Sequence, residues 1–475
     1  MRPNKHPDWM TGKRERLSYY SFFMGQDAIY AMVTNFLITY LLFQGINPAK
    51  AATVMLAVKI WDAVNDALFG VIFDSVRFKS GKKFLPWLKI ATCCIPITTA
   101  LMYAIPAGMS ETKKLVWFAV AYMLWDTAYT LCDVPIYGIV TAMTERIDER
   151  TSLLSYKSIW SGVGAAVAFL IGTVFVSEKV GLSFGAAAIA VSVFAAMTMI
   201  PVNLYTRERV APMVQEQFTI RRMLRYLFGN KYLLLYYLGF LFYGGFGVAV
   251  SLIMLVSYYQ FNNSLFSLLI GILSMLPMLV SALFVPKILK RFDKMKVFRL
   301  CALSLVIVGV ITWLFGRNSM VVFAVLAVVR SVPAAFIGVT QFMFTPDCAE
   351  YGIFRSGIEA KGITFAIQTF MAKLTGAVSS SMGLFLLRFF DWTPVEAESF
   401  QQLQELAVRQ SDTAMNGLWF IYNMVPVIGI VLALAVWSRY KLRDKDVQVM
   451  ADCNSGRITR AEALGLLSLK DNALV

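Results

Sequence analysis

Twelve stretches of roughly 20 or more mostly apolar residues follow one another along this chain, each long enough to cross about 30 Å of hydrocarbon as a helix. They run approximately over 17–44, 49–76, 86–107, 115–143, 152–177, 182–205, 232–258, 264–286, 297–315, 319–343, 361–388 and 414–438. Soluble layered folds have no place for so many long apolar runs. The expected fold is therefore all-α and integral to a membrane, with 12 transmembrane helices. Composition agrees, at 58% hydrophobic and only 15% charged residues. The 475 residues would by length alone suggest about three soluble domains, and hydropathy overrides that inference.

An even number of crossings puts both termini on one side of the membrane. Most of the 44 Lys and Arg residues fall in the termini and in the short hydrophilic gaps on that side. This asymmetry predicts cytoplasmic termini in a multi-pass protein of the cell (plasma or inner) membrane. The net charge of +15 is thus accounted for without nucleic acid as a partner.

The longest interior hydrophilic segment follows the sixth stretch and splits the chain into halves. The layout is a cytoplasmic N-terminus (1–16), a six-helix bundle (17–205), a central cytoplasmic loop (206–231), a second six-helix bundle (232–438) and a cytoplasmic tail (439–475). Duplicated transporters have this plan, with two pseudo-symmetric bundles. Basic loops recur at matching places: RFKSGKK follows the second stretch and PKILKRFDKMK the eighth. The polar, acidic segment Phe390 to Asn416 is expected to be a solvated loop or short helix on the outer side. The tail is too short for a soluble regulatory domain.

Enzymatic chemistry is not expected. The only histidine is His6, the six cysteines show no metal or redox spacing, and no nucleophile, metal set or cofactor loop stands out. The N-terminus lacks the pattern of a cleaved secretory signal. No cofactor is anticipated beyond a coupling ion, Na⁺ or H⁺.

Charges inside the apolar stretches are the informative residues, because a carboxylate at a helix centre costs roughly 2.5 to 3.5 kcal/mol on insertion scales. Lys59, Asp62 and Asp66 are spaced i, i+3 and i+7 on one face of the second helix. The acids lie about 6 Å apart along the axis and repel unless a cation or proton sits between them. Asn65 adds an amide oxygen, and Lys59 is read as their ion-pair partner. Asp126, Thr130, Asp133 and Tyr137 make a polar stripe on the fourth helix, and Asp27, Tyr30 and Thr34 make one on the first. Carboxylates, hydroxyls and rings around one cavity suit a polyhydroxylated ligand. In the second half the polar candidates are Gln368, Lys373 and Arg330.

Several motifs in this order resemble the glycoside-pentoside-hexuronide cation symporters, a branch of the major facilitator superfamily that includes melibiose permease. KIWDAVNDALFG is similar to the family's second-helix cation motif and YTLCDVPIYGIV to its fourth-helix sugar motif. DERTSLLSYK, DCAEYG and AIQTFMAKLTGA match later signatures. The resemblance implies a monovalent cation on Asp62 and Asp66, with Asn65 and Thr130 nearby. It implies sugar hydroxyls held chiefly by Asp27 and Asp133, with Tyr129 and Tyr137 along the pocket and Gln368 and Lys157 contributing. Lys373 would link the two sites in a charge network with Lys59 and Asp126. A cytoplasmic gate would draw on Asp74, Arg77, Lys82, Asp347, Glu350, Glu359 and Lys361.

Departures from the family stand at Gln26, where melibiose permease has a basic residue, and at Tyr137 and Gly338, where it has tryptophans. The GIEAKG loop reverses the family's charge order. The expectation is a sugar, glycoside or uronide symporter, working as a monomer by alternating access with Na⁺ or H⁺. A carrier of a lysolipid or glycosylated amphiphile, and a non-transporting sugar sensor, are the competing readings.

Overall fold

A computed structural model describes residues 9–76, 78–210, 220–357 and 361–468. Helix occupies each of the twelve apolar stretches. In the first half these are α1 (Lys13–Leu42), α2 (Pro48–Ser75), α3 (Leu85–Met102), α4 (Glu111–Met143), α5 (Ile147–Val176) and α6 (Phe184–Tyr205). A ten-residue helix, α7 (Ile220–Gly229), lies within the segment expected as the central loop. Then come α8 (Lys231–Gly245), α9 (Ala249–Phe261), α10 (Phe266–Leu289), α11 (Lys294–Phe315), α12 (Met320–Thr340) and α13 (Phe344–Ser356). The chain closes with α14 (Lys361–Phe389), α15 (Phe400–Glu405), α16 (Asp412–Trp437), α17 (Asp444–Asn454) and α18 (Arg460–Leu466). Among the described residues, nine helical segments are long and apolar enough to cross a membrane.

Two boundaries depart from the expected ones for local reasons. The seventh stretch is two helices, because Gly244, Gly245 and Gly247 crowd the junction between α8 and α9 and glycine is a poor helix former. The tenth stretch runs on through a 3₁₀ turn, Gln341–Met343, into α13. That helix stops at Gly357, whose φ of +67° is the left-handed C-cap conformation glycine adopts without strain.

The helices form two compact units. The first comprises Met1–Gln215, Val250–Leu268 and Leu387–Ala414, and the second Glu216–Ala249, Leu269–Leu386 and Met415–Val475. In the first, α1 packs on α5 and α6, α3 on α4 and α6, and α2 on α4. Close approach is allowed by small residues: a Cβ on Gly164 would sit 1.9 Å from the Met24 carbonyl oxygen, so only glycine lets α5 lie this near α1. Three glutamates fasten the end of this unit near the N-terminus. Glu208 accepts from the backbone N–H of Lys83, Phe84 and Leu85 (2.8, 2.9 and 2.7 Å), satisfying donors that the start of α3 leaves unpaired. Glu15 takes a two-pronged bond from Arg209 at 2.8 Å on each arm. Glu149, fully buried, accepts from Thr11 N–H (3.0 Å) and the Thr144 hydroxyl (2.7 Å).

At the opposite end, the segment after α14 is mostly exposed and carries the short helix α15, as expected, and a few of its residues anchor it on the first unit. Gln44 and Glu396 form an antiparallel bridge, with Gly45 N–H donating to Val395 O (3.1 Å) and Ala397 N–H to Phe43 O (2.9 Å). Lys114, buried, donates to Gln44 O at 2.9 Å and pairs with Glu396. Phe400 is fully buried against Phe43 and Tyr258, at ring-centroid distances of 4.8 and 4.7 Å. Apolar anchors spaced through a polar stretch, Trp392, Phe400 and Leu403, hold it down.

The second unit has an aromatic core. Tyr232 meets Tyr351 edge-on (4.7 Å), Tyr236 stacks on Phe344 (4.8 Å) and Phe298 meets Trp437 edge-on (4.8 Å). The Trp437 indole N–H donates to Tyr236 O at 3.1 Å. The tail folds back here: Asn454 donates to the Glu350 carboxylate (2.8 Å) and Arg460 to Phe354 O (3.1 Å).

Candidate transport site

The polar residues of the first unit gather into two neighbouring clusters, both carried by α4. In the first, the Gln26 amide on α1 donates to Asp133 Oδ1 on α4 at 2.9 Å. Gln26 is buried, so its donor holds the Asp133 carboxylate without adding a charge. Lys157 on α5 places its ammonium 2.6 Å from the Tyr137 hydroxyl, over the rings of Phe23 (4.4 Å) and Tyr137 (4.1 Å). Both Asp27 and Asp133 act electrostatically on this ammonium. Asp27 and Asp133 are half-buried, and Tyr137 is 46% exposed. Rings border the cluster: Tyr129 lies between Trp125 (5.2 Å) and Tyr30 (5.8 Å), and Tyr20 stacks on Trp160 (6.3 Å).

The second cluster centres on Asn65 of α2. Its amide donates to Asp126 Oδ2 (3.2 Å) and Thr130 Oγ1 (3.0 Å), and its carbonyl oxygen takes a long bond from Thr127 (3.4 Å). Asp62, one turn earlier, is 9% exposed. Carboxylate, amide and hydroxyl oxygens without a nitrogen or sulfur donor are what a hard monovalent cation or a proton would take. Asp126 and Asp133 are seven residues apart on one stripe of α4, about 10 Å along the axis, so one helix carries both clusters.

Lys59 is seen over a ring, and the side chain of Asp66, one of its two expected partners, lies outside the described residues. Its ammonium lies over the Tyr122 ring, 5.2 Å from the centroid, and it forms no ion pair among the described residues. A helical side chain leans toward its own N-terminus, which carries this stem away from the turn holding Asp62.

The side chains of Asp66, Asp74 and Lys361, and residues Arg77 and Glu359, lie outside those described. Lys82 is exposed in the loop before α3. Two expected gate acids have contacts within the second unit: Asp347 pairs with Lys294, and Glu350 with Asn454 of the tail. Gln368 and Lys373 stand half-buried on α14, and the Gln368 carbonyl oxygen is buried without a hydrogen-bond partner. A Cβ at Gly338 would meet nothing within 4 Å, so the missing ring there does leave space.

Sequence reasoning did not place Gln26, Phe23, Tyr20, Thr127 or Trp160 in these clusters. The signal was present on α1, where Tyr20, Phe23, Asp27, Tyr30 and Thr34 fall at i, i+3, i+7, i+10 and i+14, one continuous face.

Helical stretches in two units, with acids embedded in apolar helices and held by neutral amides and hydroxyls, define a multi-pass membrane transporter rather than an enzyme. The chain belongs to the MFS/sugar transport protein family, whose family model matches residues 18–444. It is 25% identical over 428 residues to the glucuronide carrier protein homolog of Escherichia coli K12, covering 88% of this chain and 90% of that one. It is 24% identical to the isoprimeverose transporter of Lactiplantibacillus pentosus, covering 87% and 86%. A putative sulfoquinovose importer of Salmonella typhimurium is 25% identical, covering 91% and 90%. Among solved structures, nucleoside transporter NupG superposes with a TM-score of 0.65 at 12% identity, covering 90% of this chain and 99% of that one. A D-xylose-proton symporter gives 0.58 at 12% identity, covering 90% and 97%. These two show the fold.

Proposed function

We propose that this sugar-family transporter is a cation-coupled importer of a glycoside or uronide, with cytoplasmic termini in the plasma or inner membrane. The observation that carries the reading is the pairing of two polar clusters on α4: Asn65 with Asp126 and Thr130, and Gln26 with Asp133. The cluster with Asp62 is the cation site, with Asp66 as its second acid, and Na⁺ or H⁺ the ion. The cluster with Asp27, Asp133 and Lys157 is the sugar site. Its carboxylates accept hydroxyls, its rings cover the apolar sugar face, and the Lys157 ammonium suits the carboxylate of a uronide. Relatives named for a glucuronide, isoprimeverose and sulfoquinovose support this cargo class and do not favour a lysolipid or other amphiphile. Binding of ion and sugar must each favour the other, and linkage makes that help reciprocal.

The test is uptake of labelled glucuronides and neutral glycosides into proteoliposomes, with a Na⁺ gradient, a pH gradient or neither. Accumulation driven by one gradient and lost in Asp62→Asn supports the reading. Uptake that ignores both gradients removes the coupling.

A further inference from the structure

The second unit holds a cavity of about 1320 Å³ where the first residue of α8, the turn between α10 and α11, and the chain after α16 come together. Nine Lys or Arg side chains line it, against two carboxylates. We propose that this cavity binds a phosphate-bearing anion, and that its occupant is the headgroup of an anionic phospholipid of the leaflet on the side of the termini.

Four residues carry the charge on one wall. After α16 the chain turns at Ser438 and Arg439 and runs without regular structure from Tyr440 to an extended Arg443, and burial alternates along it: Tyr440 and Leu442 are each 3% exposed, while Arg439, Lys441 and Arg443 are all exposed. With this alternation the segment anchors through its apolar residues and presents its cations together. Lys445 adds a fourth at the start of α17. Arg299 fixes the segment from α11 by donating to Tyr440 O at 2.6 Å and to Trp437 O. The facing wall supplies Lys290, Arg291 and Lys296.

The two acids of the lining are already engaged. Asp293 accepts from the backbone N–H of Lys296 (3.3 Å) and Asp444 (3.0 Å). Asp444 accepts from Lys294 N–H (2.7 Å) and lies 3.7 Å from the Lys294 ammonium. Seven of the nine cations form no ion pair among the described residues: Lys290, Arg291, Lys296, Arg439, Lys441, Arg443 and Lys445. A positive-inside bias alone scatters such residues over separate loops, whereas here three distant parts of the chain aim them into one concavity. Anionic membrane surfaces attract basic residues, and a preformed basic pocket adds geometry to that attraction.

A lipid fits better than a free anion because of where the cavity sits. It opens at the ends of the apolar helices α8, α10, α11 and α16, the level of a headgroup. Phe292, 54% exposed in its wall, offers an apolar surface beside the cations.

The test uses the full-length protein, delipidated in detergent, with bound lipid counted by native mass spectrometry and stability followed by thermal melting. Phosphatidylglycerol and cardiolipin are compared with phosphatidylcholine, and separate samples receive inorganic phosphate or pyrophosphate. The variants are R439Q/K441Q/R443Q and, on the other wall, K290Q/R291Q, with K13Q/R14Q in the first unit as the control. The expected result is retention of the anionic lipids over phosphatidylcholine, cut more than tenfold by each cavity variant and unchanged in the control. Either cavity variant suffices if the other fails to fold. Stabilisation by pyrophosphate but not lipid, lost in the same variants, would reassign the occupant to a soluble anion and overturn the lipid source. Equal losses in the control, or no preference for anionic lipid in wild type, would overturn the site.

Discussion

The two units are built from the same kind of apolar helix and hold opposite chemistry. In the first, Asp27, Asp62, Asp126 and Asp133 sit within the helices, and neutral donors such as Gln26 and Asn65 reach them. In the second, α10, α11, α12 and α14 contain no Asp or Glu, and tyrosine, phenylalanine and tryptophan rings fill the core. An acid in a membrane helix is retained only where it works, while interlocked rings stabilise through contact and hydrogen-bonded edges. On the proposed function, the first unit would recognise ion and cargo and the second would supply stiffness.

Four substitutions would break or sharpen this division. Asp62→Asn should abolish gradient-driven accumulation while leaving thermal melting close to wild type; full accumulation in that variant would end the assignment of ion chemistry to the first unit. Trp437→Ala should do the reverse. It removes a fully buried indole with its bond to Tyr236 and should cost about 3 to 5 kcal/mol of stability, read as a lowered melting temperature with sugar selectivity unchanged among molecules that remain folded. Gln26→Leu, which takes a hydrogen bond from a carboxylate, should weaken sugar binding about tenfold with cation dependence intact; equilibrium binding with and without Na⁺ separates the two. Lys59→Met should have the smallest effect, because a cation over a ring contributes about 0.5 to 1 kcal/mol. A large loss of coupling in Lys59→Met, measured by uptake, would restore this lysine to the ion site.

Much of this was legible in the chain itself. Asp62, Asp126 and Asp133 announced themselves because a charge in an apolar helix is costly, and their spacing fixed the shared faces. Gln26 and Thr127 did not, because neutral polar side chains are cheap enough in a membrane helix to carry no signal. For Lys59, spacing gives the face of the helix and not the lean of a long stem, which here lies over the Tyr122 ring. The segment after α14 is the solvated loop with a short helix that its polarity indicates, but that average polarity hid the anchors Trp392, Phe400 and Leu403. The basic cavity was invisible for another reason: each of its cations is explained by sidedness, and only folding shows that they converge.

That anchored segment after α14 has a consequence for how the protein is made. Lys114 and Glu396 pair across 282 residues of sequence, and Gln44 bridges to the same stretch. Non-local contacts of this kind are slow to form and cannot form before both partners exist. A nascent chain can insert its first six helices early, yet the first unit stays unfinished until translation has passed residue 414. During synthesis its far end must wait with Phe43 and Lys114 uncovered, the exposed state in which chaperones and proteases find their substrates. Truncation after the first half should therefore leave a fragment that inserts but is cleared quickly, because it lacks both 250–268 and 387–414.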